Sequence, residues 1–178
     1  MKQLRGKALK KLWKQFERPA RELCFVLNDV EDPVNVGAAF RIGDGCGVNE
    51  IILTGVSPLP TDELLGAVSR GLHRRIPWRY EKLASDALTQ VREQGYLTCA
   101  LEATTEAVPY HEFVYPDKVC LVVGNEYHGV TRQALEHCDA AIYIPMYGKI
   151  KSLNVHVALG VAAFHVLHCS QPEEQPEE

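Results

Sequence analysis

Short aliphatic and β-branched runs alternate along the chain with segments whose apolar residues recur every three or four positions. The runs Leu23 to Leu27, Ile51 to Thr54, Tyr96 to Leu101, Val119 to Val123 and Ala140 to Ile144 predict strands. Helical spacing predicts a helix from Asn35 to Cys46, opened by Pro33 and ended by Gly45 and Gly47. Further helices are predicted over Thr61 to Val68, Leu83 to Gln94 (closed by Gly95) and Thr131 to Cys138. Leu153 to Leu167 is apolar on nearly every side and predicts a fully buried helix. Strand and helix in alternation predict an α/β fold, a mostly parallel sheet with helices on both faces.

The junction between the last strand and the last helix draws attention first. The strand stops at Pro145, which cannot donate to a sheet ladder. A polar loop with Gly148, Lys149 and Lys151 leads to Ser152 and Asn154, both able to cap free backbone N–H groups. A loop of this kind at the end of a buried strand is where α/β folds usually hold a ligand.

Length adds little to this picture: 178 residues suit one domain with a sizeable core. Charge adds more. Residues 1 to 21 hold eight Lys/Arg against the single acid Glu17, a net of +7, so the rest carries −11 toward the total of −4. A basic arm on an acidic body predicts a polyanionic partner, met through Lys7, Lys10, Lys11 and Lys14. Leu9, Leu12, Trp13 and Phe16 recur at helical spacing, so the arm is also expected to pack one face on something. Arg70, Arg74 and Arg75, beside His73 and Trp78, form a second basic cluster in a predicted loop, suited to phosphate and stacking contacts. The division expected is an arm (1–21), a central domain (22–169) and a disordered acidic tail (170–178).

Several classes drop out. No apolar run is long enough to span a bilayer, and no apolar stretch follows the basic N-terminus as in a signal peptide. Six cysteines without a C-x-x-C pair read as reduced core thiols of a cytoplasmic protein. Gly43 to Gly47 closes a helix instead of opening one, so it is no dinucleotide fingerprint. Gly124 to Gly129 has P-loop glycine spacing, but Val130 and Thr131 follow where a lysine is required. The histidines lack a metal-like pair with a third ligand, so no metal is expected.

Three ordered segments carry a resemblance. Asn35 to Arg41 (NVGAAFR), Gly124 to Val130 (GNEYHGV) and Ile144 to Val155 (IPMYGKIKSLNV) resemble the three motifs of the SpoU (TrmH) branch of the SPOUT RNA methyltransferases. The resemblance covers roughly 23 to 168. It implies an S-adenosylmethionine-dependent enzyme that methylates a ribose 2′-hydroxyl, a C-terminal trefoil knot and a homodimer with shared active sites. Arg41 matches the essential arginine that meets the acceptor ribose or its phosphate. Its pKa is too high for a good base, so orientation and charge stabilisation are the expected roles, with the proton's destination open. Asn35, Glu126, Ser152 and Asn154 match the other catalytic positions. Leu101, Gly124, Ile144, Met146, Ser152 and Leu153 would wall the cofactor. From the residues alone, Asn35 could equally be an N-cap and Glu126 could cap the helix beginning near Thr131. Tyr127 and His128 could stack on the acceptor nucleotide or cover the cofactor. His156 departs from the family, which commonly has a small hydroxyl residue there.

The acceptor is expected to be a structured RNA. A tRNA is the main reading and rRNA the alternative, with recognition expected of the arm, the basic loop and the dimer surface. A catalytically idle RNA-binding relative and a flavodoxin-like nucleotide-binding module are the competing readings. Independently of the family, the first-motif helix and the last helix are too apolar for solvent, which suggests a second copy as their cover.

Overall fold

The computed structural model describes residues 1–169. Seven strands form a wholly parallel sheet: β1 (Glu22–Asn28), β2 (Glu50–Thr54), β3 (Trp78–Glu81), β4 (Leu97–Leu101), β5 (Val108–Pro109), β6 (Lys118–Val123) and β7 (Ala140–Tyr143), in spatial order β3-β2-β1-β6-β4-β7-β5. Among the described residues six α-helices accompany them: α1 (Gly6–Trp13), α2 (Pro33–Cys46), α3 (Glu63–Val68), α4 (Ala84–Glu93), α5 (Arg132–Leu135) and α6 (Val155–His168).

Strand periodicity divides the core in two. In β1, Leu23, Phe25 and Leu27 face the layer of α2 and α6, while Cys24 and Val26 face α4 and α5. Phe25 pairs in register with Ile51 and Leu121, and Val26 with Ile52 and Val122, so each row of apolar side chains continues across the sheet. Both faces of β1 are buried, which is why its sequence is continuously apolar instead of alternating.

The chain builds β1, β2 and β3 outward in one direction, then crosses back to place β4 two positions beyond β1. The gap is filled later by β6, and β7 docks on the far side of β4. The loops after β1, β4, β6 and β7 therefore emerge together at the carboxyl edge of the sheet, on either side of the switch in strand order.

Several boundaries differ from the periodicity reading. Helix α2 is capped not by Asn35 but by Asp32, whose carboxylate accepts from Val34 N at 2.8 Å, with Pro33 at the first helical position. Helix α6 starts at Val155, capped by Asn154, whose Oδ1 accepts from His156 N at 3.1 Å; Ser152 caps nothing. Thr131 caps α5 with its own hydroxyl, which leaves Glu126 for another role. The short strands β3 and β5 escape a periodicity reading because Trp-Arg-Tyr-Glu and Val-Pro carry too little pattern. Helix α6 is not fully buried: Val157, Val161 and Phe164 are exposed. Helix α1 buries no residue fully: Leu9 and Leu12 are half-buried, while Trp13 and Phe16 of its apolar stripe stay exposed. The tail, 170–178, lies outside the described residues.

Candidate active site

At the carboxyl edge of the sheet lies a cleft of about 540 Å³. Leu101 and Glu102 after β4, the 124–129 loop after β6, and the segment from Tyr143 through Asn154 after β7 line it. All six residues expected to wall a cofactor border this one space: Leu101, Gly124, Ile144, Met146, Ser152 and Leu153. Glu126 and Asn154 border it as well.

The 124–129 loop is held from four sides. Asn125 and Gly129 exchange backbone hydrogen bonds of 3.0 and 2.9 Å, folding the loop on itself. A Cβ on Gly124 would collide with the Gly129 carbonyl group and with Val130 N. The glycine is thus demanded by the loop's own backbone. Asn125 Oδ1 accepts from Tyr127 N and His128 N, and its Nδ2 donates to Asp29 O at 2.9 Å. Glu102, which sequence reasoning missed, accepts from Val130 N at 2.9 Å and occupies the space a Cβ on Gly129 would need. An acid directly after a buried strand was the available signal for it. Asn28, at the end of β1, accepts from Thr131 N at 2.8 Å.

Glu126 anchors the loop to the start of α2. Its carboxylate accepts from Glu31 N at 3.0 Å, Asp32 N at 3.1 Å and Asn35 Nδ2 at 2.6 Å. Burial pushes its pKa up, but these donors outweigh that and hold it below the usual glutamate value. It is a carboxylate at neutral pH and acts as an acceptor only. Asn35 is buried in the first turn of α2, and its Oδ1 lies 2.8 Å from His156 Nδ1.

Arg41 stands on the exposed side of α2, two turns from Asn35, and does not border the cleft. Among the described residues its side chain makes no hydrogen bond or ion pair. Tyr127 and Tyr147 project from the cleft's two loops with 86% and 94% of their surface exposed, too free to be core residues.

The basic residues divide into two sets. Arg18 donates to Gly47 O and Asn49 Oδ1. Arg21 is buried and donates to the carbonyls of Tyr115, Pro116, Val166 and Cys169, which ties the end of α6 to the start of β1. Both are occupied by the body. Lys7, Lys10, Lys11 and Lys14 on and after α1 are exposed, as are Arg70, Arg74 and Arg75 around a 3₁₀ turn at Leu72–Arg74. None of these seven forms an ion pair among the described residues. Arg70 has φ of 53°, a left-handed conformation uncommon for a non-glycine residue. Trp78 and Tyr80, two apart on the edge strand β3, are both partly exposed on the α2 side of the sheet.

A parallel sheet with its cleft at the carboxyl edge, walled by the second and third motifs and tied to the first through Asn35 and Glu126, is the architecture of a known family. Residues 22–164 match the SpoU rRNA Methylase family, and the chain belongs to it. Among curated proteins it is 33% identical over 147 residues to a 23S rRNA (guanosine-2′-O-)-methyltransferase, RlmB, of Xanthomonas axonopodis, covering 83% of this chain and 59% of that protein. It is 31% identical over 137 residues to the tRNA (guanosine(18)-2′-O)-methyltransferase of Escherichia coli, covering 77% and 59%. The chain thus spans little more than half the length of these relatives. Among solved structures, an AdoMet-bound rRNA methyltransferase from Sinorhizobium meliloti superposes with a TM-score of 0.77 at 26% identity, over 86% of this chain and 58% of that one. The TrmH/SpoU tRNA modifying enzyme of A. aeolicus superposes with a TM-score of 0.74 at 27% identity, over 90% and 81%.

Proposed function

We propose that the chain is an S-adenosylmethionine-dependent RNA methyltransferase acting on a ribose 2′-hydroxyl. The observation that carries this reading is the single cleft walled by both the 124–129 and 144–154 loops, in a chain whose family is SpoU. The cleft suits a nucleoside of mixed polarity: Leu101, Ile144, Met146 and Leu153 offer apolar walls, while Ser152 and the loop backbones offer polar groups. Bound S-adenosylmethionine supplies a sulfonium-activated methyl group, so the protein need only align the acceptor oxygen and exclude water. Glu126 and Asn35 fix the loop geometry, and Asn154 fixes the start of α6. Arg41 orients the acceptor ribose or its phosphate and stabilises developing negative charge.

Because Arg41 lies away from the cleft of its own chain, the reading requires a homodimer in which Arg41 faces the partner's cofactor. Val157, Val161 and Phe164 on α6, with Val34 on α2, supply an exposed apolar stripe for that interface. The C-terminal segment is proposed to thread an earlier loop as a trefoil knot, an exception to ordinary chain topology. In support, β4 is flanked by β6 and β7, both of which follow it in the chain. The unpaired lysines of α1 and the Arg70–Arg75 cluster, with Trp78, are proposed to hold the RNA, a tRNA in the main reading and an rRNA in the alternative. An enzyme acting on either would work in the cytoplasm. Residues 22–169 form the methyltransferase domain and 1–21 its basic arm.

Two measurements test this. Calorimetric titration with S-adenosylmethionine, flavin and ATP should give binding to the first alone. Methyl transfer into total RNA, followed by nucleoside mapping, should give a 2′-O-methylated ribose. Absence of transfer with intact cofactor binding would leave the idle RNA-binding relative.

A further inference from the structure

We infer that His156 is a positioning residue that locks the two loops of the cleft together through Asn35 and Glu126. The inference rests on the reading of the cleft as the cofactor site. Five hydrogen bonds form one continuous chain. Asn154 Oδ1, at the end of the 144–154 loop, accepts from His156 N at 3.1 Å. His156 Nδ1 meets Asn35 Oδ1 at 2.8 Å. Asn35 Nδ2 donates to Glu126 at 2.6 Å, and Glu126 accepts in turn from Glu31 N and Asp32 N.

Donor and acceptor roles along this chain are forced. An ionised carboxylate only accepts, so Asn35 must present its amide nitrogen to Glu126 and its oxygen to His156. That oxygen has no proton to give, so His156 Nδ1 must carry the hydrogen. A buried asparagine has two possible amide orientations, and only one serves Glu126. Without a donor opposite Oδ1, that orientation loses its second partner. His156 thereby selects the amide rotamer that fastens the 124–129 loop to α2, while its own backbone is fastened to the 144–154 loop. The residue stands where the resemblance leads one to expect a small hydroxyl, which is too short to span the same gap from the same Cα.

Histidine isosteres separate this role from simple packing. Asparagine places an N–H donor where Nδ1 stands; glutamine places one where Nε2 stands; leucine keeps bulk and offers no donor. In the ligand-free protein, hydrogen exchange at the Glu31 and Asp32 amides should quicken about tenfold in His156→Leu and His156→Gln, the loss of about one hydrogen bond's net worth. His156→Asn should keep wild-type protection. Calorimetric Kd values for S-adenosylmethionine should follow the same order, with thermal unfolding recorded to verify folding. Equal protection in all variants, or His156→Asn behaving as His156→Leu, would overturn the inference. Loss of cofactor binding in the wild type as well would overturn the cofactor reading instead, and the exchange data would still decide the role of His156.

Discussion

A single side chain, Arg41, concentrates the chemistry proposed here. It is exposed, carries no partner among the described residues and sits outside the cleft, so removing it disturbs no packing. Arg41→Ala should therefore retain S-adenosylmethionine affinity and unfolding temperature, yet lose roughly 100-fold or more in methyl transfer, about 3 kcal/mol of transition-state stabilisation. Near-normal turnover on saturating RNA would remove it from the mechanism. Glu126 makes a second prediction at this scale. Its folded pKa is held below the ordinary glutamate value, so its contribution to stability is present above that value and lost as pH falls through the depressed one. Glu126→Gln should lower the unfolding temperature at about pH 7 and cost progressively less as pH falls through the depressed value, where the wild-type carboxyl becomes protonated too. A gap that stays constant across this range would show that the carboxylate's charge contributes nothing.

Among the elements, α1 and α6 each leave apolar side chains uncovered. Helix α1 joins lysines at 7, 10, 11 and 14 to a stripe of Leu9, Leu12, Trp13 and Phe16, and none of its residues is buried. Removing residues 1 to 16 spares Arg18, which anchors the arm at Gly47, and deletes six basic residues. RNA affinity should fall and its dependence on salt should flatten, because each lost phosphate contact removes about 0.7 to 0.9 from the log–log slope. Cofactor affinity should not change. An unaltered slope would mean that the arm serves packing alone.

For the whole molecule, the decisive question is whether two chains complete each other's sites. An Arg41→Ala chain and a chain disabled in its cleft by Leu153→Asp are each expected to be inactive. Mixed under conditions of verified subunit exchange, they should regain activity, since one of the two sites in a heterodimer would hold both an intact cleft and an intact arginine. No recovery after exchange would mean that each chain works alone.

Periodicity alone determined the layers. Short, β-branched apolar runs suit strands buried on both sides, while the longer apolar stretch at 153–167 suits a helix; with the helices between them set by spacing and caps, the parallel α/β sheet was legible from sequence. The cleft's residues were legible too, as ordered motifs, because loops that end buried strands carry polar residues that packing does not explain. Partnership was not legible. Asn35 as an N-cap and Glu126 as a helix cap were reasonable local readings, and both gave way to a contact spanning 91 residues. Gly124 answers to Gly129, and Glu102 to Val130, through a loop folded on itself. Helix α6 looked buried by composition, yet a single chain leaves Val157, Val161 and Phe164 uncovered. Local pattern governs which face of an element is apolar, because that depends on backbone period. Which polar group meets which depends on how distant loops converge at the sheet edge, and only the tertiary structure brings those loops together.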